Sequence, residues 1–391
     1  MIIRIHLGVW MREWIIETLS EIISRKAVNP KFGGTGEKER ADYIQELIEK
    51  MGFTVERYDV KDEKGYTRSN LVIEVEGEDY PIWVIAHLDT VSAGTGWETD
   101  PFKLVVKGDK VFGRGVNDNG IGIMSLLILL KRISEGKVKL KHTLKAAFVA
   151  DEEAGSKYGV VHLIEKGLFK EGEKAIIPDF GSEKGDIIEI AEKGILWLKM
   201  ITKGKQGHGS MPHKADNAHL KSARLMLELY ESLRRRFYKI NKFFDPPYST
   251  FEPTMKEKNV DSINIIPGED VIYWDCRVIP DYSLEEVIEF FEGIGARYDA
   301  TFEVVMKEEA SFTKEDDEIV EKLKNSIKTI LNVEPRLIGI GGGTVAGILR
   351  KVGIPSVAWG INSGTEHKPN EWELIENYIK TERVIEDVLT K

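Results

Sequence analysis

Residues 81–90 read PIWVIAHLDT. A short apolar run with β-branched and aromatic residues predicts a strand buried on both faces. This one finishes in His87 and Asp89, two positions apart. Taken alone, the pair fits a core histidine beside a surface acid. The rest of the chain decides between that and a ligand pair.

Working outward, residues 12–52 carry two stretches with apolar residues at three- and four-residue spacing, which predicts helices. Short strand-like runs follow at 69–77, 81–87, 142–153 and 174–179. Between them lies NGIGIMSLLILLKRISEG (119–136), opened and closed by glycine, which reads as a buried helix. Strands alternating with helices predict an α/β layer with a mixed or parallel sheet.

Near 194 the pattern changes. GILWLKMITKG reads as a strand, 217–238 as an amphipathic helix, SINIIPG and DVIYWDCRVIP as strands, SLEEVIEFFEGIG as a helix and TFEVVMK as a strand. That order, β-α-β-β-α-β, is ferredoxin-like. It predicts an inserted domain at 194–308 inside an α/β domain formed by 1–193 and 309–391. Residues 239–260, rich in proline and aromatics, read as a loop.

The acids and histidines fall where the strands of the α/β part end. His87 and Asp89 follow one strand, and Asp118 precedes the buried helix. Asp151, Glu152 and Glu153 follow another, Asp179 follows AIIP, and His367 and Glu371 follow VAWG. Open α/β sheets bind ligands beyond the carboxyl ends of their strands. Each position has an ordinary reading alone: a core histidine, a turn acid, a solvated helix start, a surface loop. Five such places converging on one edge outweigh those readings together. Clustered acids would repel one another without a cation. Two histidines with three or four carboxylates suit zinc, cobalt or manganese, with enough donors for two ions sharing one carboxylate.

Composition bounds the partners. The chain has 391 residues, 42% hydrophobic and 31% charged, with a net charge of −10. That acidity disfavours a nucleic-acid partner. Cys276 is the single cysteine, which fits a reducing compartment. The apolar N-terminus is broken by Arg4, His6, Arg12 and Glu13, unlike a signal peptide. The run at 121–130 is about half what a membrane span needs. A cytoplasmic protein without membrane contact is expected. Abundant Lys and Glu, with glutamine only at Gln45 and Gln206, form a thermophile-like bias.

The motifs AHLDTV, GRGVNDNG, DEEAGS, GHGSMP, DCRVIP and HKPNE stand in order along the chain. Together they resemble the dinuclear zinc amidohydrolases, the family of succinyl-diaminopimelate desuccinylase, acetylornithine deacetylase, aminoacylase and carboxypeptidase G. The resemblance covers about 12–390 and implies a zinc-peptidase-like α/β/α catalytic domain with a βαββαβ lid and dimerisation domain. It implies one metal on His87, Asp118 and Asp179, and a second on Glu153, His367 and the shared Asp118. Asp89 would accept a hydrogen bond from His87, Glu152 would be the general base, and the Asp118–Asn119 peptide would be cis. His208 would polarise the substrate carbonyl in a neighbouring active site, while Arg277 and Asn264 would meet a substrate carboxylate. A surface ion pair is an equally ordinary role for Arg277. The glycine-rich run 339–347 lacks a Gly-Lys-Ser/Thr ending, so a nucleotide loop is disfavoured. The resemblance implies that this run approaches the substrate, with Thr344 a candidate contact. Asn119 stands where many members carry lysine.

The expected activity is metal-dependent hydrolysis of an amide next to a free carboxylate. The substrate would be a small N-acyl amino acid or a short peptide, and the enzyme a homodimer. Two alternatives stand beside it: a cocatalytic aminopeptidase, and a non-catalytic metal-binding assembly protein. The acyl group and side chain preferred are not written in the sequence.

Overall fold

The computed structural model describes residues 9–391, so the first part of the N-terminal reading lies outside the described residues. Two compact units divide the chain. Of the described residues, one comprises 9–190, 313–337 and 344–391, and the other 191–312 and 338–343.

The first unit is built on a mixed sheet. Its central strands, His142–Val149, Asp79–His87, Lys174–Ser182 and Ser356–Ile361, lie side by side in that order and run parallel. Antiparallel strands flank them: Leu71–Val75 pairs with His142–Val149, and Ile187–Glu192 with Ser356–Ile361. Burial follows from strand alternation. Trp83, Ile85, Ala147, Val149, Ala175 and Ile177 face one way, onto Val160 and Leu163 of the helix Val160–Glu165 and Val345, Ala346 and Leu349 of the helix Val345–Lys351. On the opposite face the helix Gly120–Ser134, buried almost throughout, packs against Ile375–Thr390, which packs in turn against Glu318–Leu331. Ser125 Oγ donates to Tyr378 O at 3.1 Å across the first of these contacts. The result is an α/β/α layering. Because the central strands are parallel, their carboxyl ends share one edge.

The second unit is a four-stranded antiparallel sheet in the order Thr250–Lys256, Glu269–Val278, Gly194–Lys203, Ala300–Glu308, with the helices Ala218–Arg236 and Leu284–Gly295. Leu196, Leu198, Met200, Trp274 and Cys276 are buried, together with Phe291 and Leu229 from the helices. The βαββαβ order holds, but its second strand is not SINIIPG. That strand is Thr250–Lys256, inside the stretch expected to be a loop. Pro253 disguises it: this edge strand pairs on one side only, and the register shifts between Pro253 and Met255. A proline is tolerated at an edge or bulge of this kind. SINIIPG supplies just Ile265–Ile266, paired with Gly207–His208.

The second unit also exceeds the expected 194–308. It takes in Ile338–Gly343, because Gly339 N donates to Phe243 O at 2.6 Å, Lys193 N to Ile340 O at 3.0 Å, and Arg277 Nη1 to Gly341 O at 2.7 Å. Among the described residues, no helix is long and apolar enough to cross a membrane.

Candidate metal centre

The parallel strands bring the expected donors together within the first unit. His87 is the last residue of Asp79–His87, and its side chain is 2% exposed. Its Nε2 lies 2.8 Å from Asp118 Oδ1 and 3.4 Å from Asp179 Oδ1. Asp118 ends the loop before the buried helix, and its peptide bond to Asn119 is cis. Its other oxygen, Oδ2, lies 3.0 Å from His367 Nε2, which also stands 3.1 Å from Glu153 Oε2. The donor atoms of His87, Asp118 and Asp179 lie within 4.8 Å of one another, and so do those of Asp118, Glu153 and His367. Asp118 thus belongs to both trios.

The two imidazoles differ in setting. His87 is enclosed, whereas the His367 side chain is 54% exposed, on a loop where its φ is 59°. Asp179 accepts a hydrogen bond from Asn119 Nδ2, and Glu153 Oε1 accepts one from Val91 N at 3.2 Å.

Asp89 departs from its expected contact. His87 Nδ1 reaches the main-chain oxygen of Asp89 at 3.0 Å, nearer than the carboxylate at 3.6 Å. The fully buried carboxylate instead accepts from Glu152 N at 3.0 Å, Glu153 N at 3.3 Å and Asn29 Nδ2 at 2.8 Å. Asp89 therefore holds the turn that carries both glutamates. Asn29 Nδ2 also donates to Asp151 Oδ1 at 2.9 Å, as does Arg68 Nη1 at 2.9 Å, while Arg68 is paired with the buried Glu37. Asp151 has a φ of 65°, and this network braces that left-handed position.

The electrostatics fit a cation site. Burial raises the Glu152 carboxyl well above its ordinary value; Asp179, Asp118 and Glu153 add to the rise, and His87 opposes it. Burial likewise raises Glu153. For Asp118, burial acts upward but hydrogen bonds from His367 and His87 hold it well below the carboxylate range. Hydrogen bonds to Asp118 and Glu153 push His367 up to about 10. Burial opposes protonation of His87, yet Asp179, Asp118 and Asp89 raise it well above its ordinary value. Four carboxylates against two imidazoles leave surplus negative charge, which divalent cations would balance. Oxygen and imidazole donors in this mixture fit the metals expected from the sequence. Glu152 belongs to neither trio.

The remaining expected residues lie elsewhere. In the second unit, His208 and Asn264 come together where Gly207–His208 pairs with Ile265–Ile266, and Gly209 N donates to Asn264 O at 2.8 Å. Arg277 pairs with Asp275 through Nε at 2.8 Å and Nη2 at 3.3 Å. Thr344, in the first unit, caps the helix Val345–Lys351, its hydroxyl accepting from Gly347 N at 3.4 Å. Sequence reasoning missed Asn29, Glu37 and Arg68. Asn29 precedes a proline and reads as a turn residue, and the charged pair carries no spacing signal because its partners are distant in sequence.

A metal-dependent hydrolase is the class that this fold and donor set define. The chain belongs to peptidase family M20/M25/M40, whose model matches residues 83–391. It is 41% identical over 405 residues to an uncharacterized metallohydrolase of Methanocaldococcus jannaschii, covering 96% of this chain and 99% of the relative. A succinyl-diaminopimelate desuccinylase of Nautilia profundicola is 27% identical over 383 residues, covering 96% and 98%. Among solved structures, the aminopeptidase PepT of Bacillus cereus matches with a TM-score of 0.74 at 19% identity, covering 97% of this chain and 98% of that one, a likeness of fold.

Proposed function

We propose that the protein hydrolyses an amide bond next to a free carboxylate, in an N-acyl amino acid or at the C-terminus of a short peptide. The observation that carries this reading is the placement of Asp118, one oxygen toward His87 and the other toward His367, with Glu152 outside both trios. His87, Asp118 and Asp179 would hold one divalent ion, and Glu153, Asp118 and His367 a second, zinc, cobalt or manganese. When bound, such ions lower the pKa of water and polarise a carbonyl.

The chain's own groups do the rest. Glu152, half-buried and with its carboxyl raised, is poised to take a proton from the attacking water. As the C–O bond forms and the C–N bond breaks, it returns that proton to the leaving nitrogen. Asp89 keeps Glu152 and Glu153 apart in role by fixing their backbone. His208 Nδ1 accepts from Ser210 N at 3.2 Å, which leaves the proton on Nε2, suited to donate to a developing oxyanion. Arg277 offers a guanidinium for the substrate carboxylate, with Asn264 beside His208 as a further polar contact and Thr344 as another candidate. The 27% identity to a desuccinylase, which names a carboxylate-bearing substrate, supports this choice. The family likeness supports a homodimer, and the single buried Cys276 supports a cytoplasmic setting.

One observation favours a second reading, a cocatalytic aminopeptidase. Arg277 is already paired with Asp275, so its charge is met within the chain. Peptides and N-acyl amino acids, each with the amine or the carboxylate blocked, decide between them. The first reading expects chelator-sensitive turnover that survives amine blocking and fails on carboxylate blocking. The reverse pattern would overturn it.

A further inference from the structure

We infer that Glu371 is a positioning residue that sets the spacing between Asp118 and His367, and so governs cation binding by the trio Asp118–Glu153–His367. The inference rests on the two-ion reading above.

Glu371 is fully buried and is not a member of either trio. Its carboxylate is saturated by the loop that carries Asp118. Gly115 N donates at 3.0 Å, Asn117 N at 2.8 Å, Asp118 N itself at 3.1 Å, and Arg114 Nη1 at 2.6 Å. Three amide donors within four residues, Gly115, Asn117 and Asp118, converge on one anion and define a loop conformation, as a bound anion does in a backbone nest. The main chain of Glu371 adds to this: its carbonyl accepts from Gly113 N at 3.1 Å, and the next strand, Trp372–Leu374, pairs with Lys110–Phe112.

Toward its other side, Glu371 is a short step from His367. That segment is pinned as well, by Trp372 N to Thr365 Oγ1 at 3.1 Å and by Glu98 N to Asn370 Oδ1 at 2.8 Å. Glu371 therefore fastens together the two segments that deliver Asp118 and His367. His87 and Asp179 reach Asp118 differently. They sit on neighbouring parallel strands whose register is fixed within the sheet, and Glu371's hydrogen bonds among the described residues go to residues 113–118 instead. The consequence is selective. Asp118 is shared, but its trio with His87 and Asp179 keeps two donors fixed by the sheet, whereas the trio with His367 loses the anchor of both Asp118 and His367, so loss of the carboxylate weakens the second trio far more than the first.

The test is cobalt(II) binding to chelator-stripped protein, followed by calorimetry and by the visible absorption of bound cobalt. Wild type should show two steps. Glu371→Gln and Glu371→Asp should keep one step within about threefold and weaken the other by about 10- to 100-fold, the usual cost of losing an outer-shell partner. Glu371→Asp retains a charge for Arg114 while withdrawing it from the amides, so it guards against simple misfolding of the glutamine variant. In a His367→Ala background, which lacks the affected trio, the remaining step should respond to Glu371→Gln by less than about threefold. Glu382→Gln breaks a comparable buried pair with Arg132 and should preserve both steps. Unchanged binding in both Glu371 variants, equal weakening of both steps, or the same selective loss in Glu382→Gln would each overturn the inference while leaving the two-ion reading intact. A wild type that takes up a single ion would overturn both.

Discussion

His367 Nε2 and Asp118 Oδ2 stand 3.0 Å apart, a half-exposed imidazole held against a nearly buried carboxylate. This contact, with the second one to Glu153, pushes the imidazole up to about 10, and a cation ligated at Nε2 must displace its proton. Cation uptake at pH 8 should therefore release protons, about one of them from His367, whose value of about 10 lies above that pH. Calorimetry in buffers of differing ionisation enthalpy measures this, and uptake without proton release would contradict the assignment. The sign for stability follows. The folded value lies above the ordinary 6.5, so in chelator-treated protein the contribution of His367 is complete below about 6.5 and is lost as pH rises through about 10. Saturating cation should flatten that dependence in thermal melts.

Glu152→Gln should keep the cation content of wild type and lose about 100- to 10,000-fold in kcat, the range for a general base. Metal analysis together with steady-state kinetics checks this. A variant with wild-type turnover would remove Glu152 from the chemistry.

Asp89→Asn replaces an acceptor-only group by one whose amide faces the N–H groups of Glu152 and Glu153. The turn should shift, with cation affinity or turnover falling about 10- to 100-fold while the fold persists. Circular dichroism at unchanged melting profile, beside cobalt binding, separates this from unfolding.

Arg277→Ala tests the substrate carboxylate. If Arg277 binds it, kcat/KM for carboxylate-bearing substrates should fall by about 10- to 100-fold, from roughly 1.5–3 kcal/mol for a hydrogen bond to a charged group. Carboxylate-blocked analogues, already poorly turned over by wild type, should lose nothing further. Equal rates for Arg277→Ala and wild type on free carboxylates would leave Arg277 as a partner of Asp275 alone.

The α/β class, the inserted βαββαβ order and the strand-end donors were legible in the residues. Periodicity reports which face of an element is buried, and a parallel sheet necessarily gathers the carboxyl ends of its strands. Thr250–Lys256 was not legible, because Pro253 hides an edge strand whose pairing is decided by the neighbouring Glu269–Val278. Nor was the true work of Asp89. Two residues from His87, it looks like the partner of that imidazole, yet its carboxylate faces the backbone of Glu152 and Glu153. Glu371 could be counted among the strand-end acids, but its partners lie more than 250 positions earlier in the chain. Sequence alone determined which side chains are chemically able to hold a cation and to which edge the fold delivers them. The tertiary structure decided which buried acid acts as a ligand, a base or an anchor. That choice depends on whether its oxygens face an imidazole, an open site or converging backbone amides, and chain distance does not encode it.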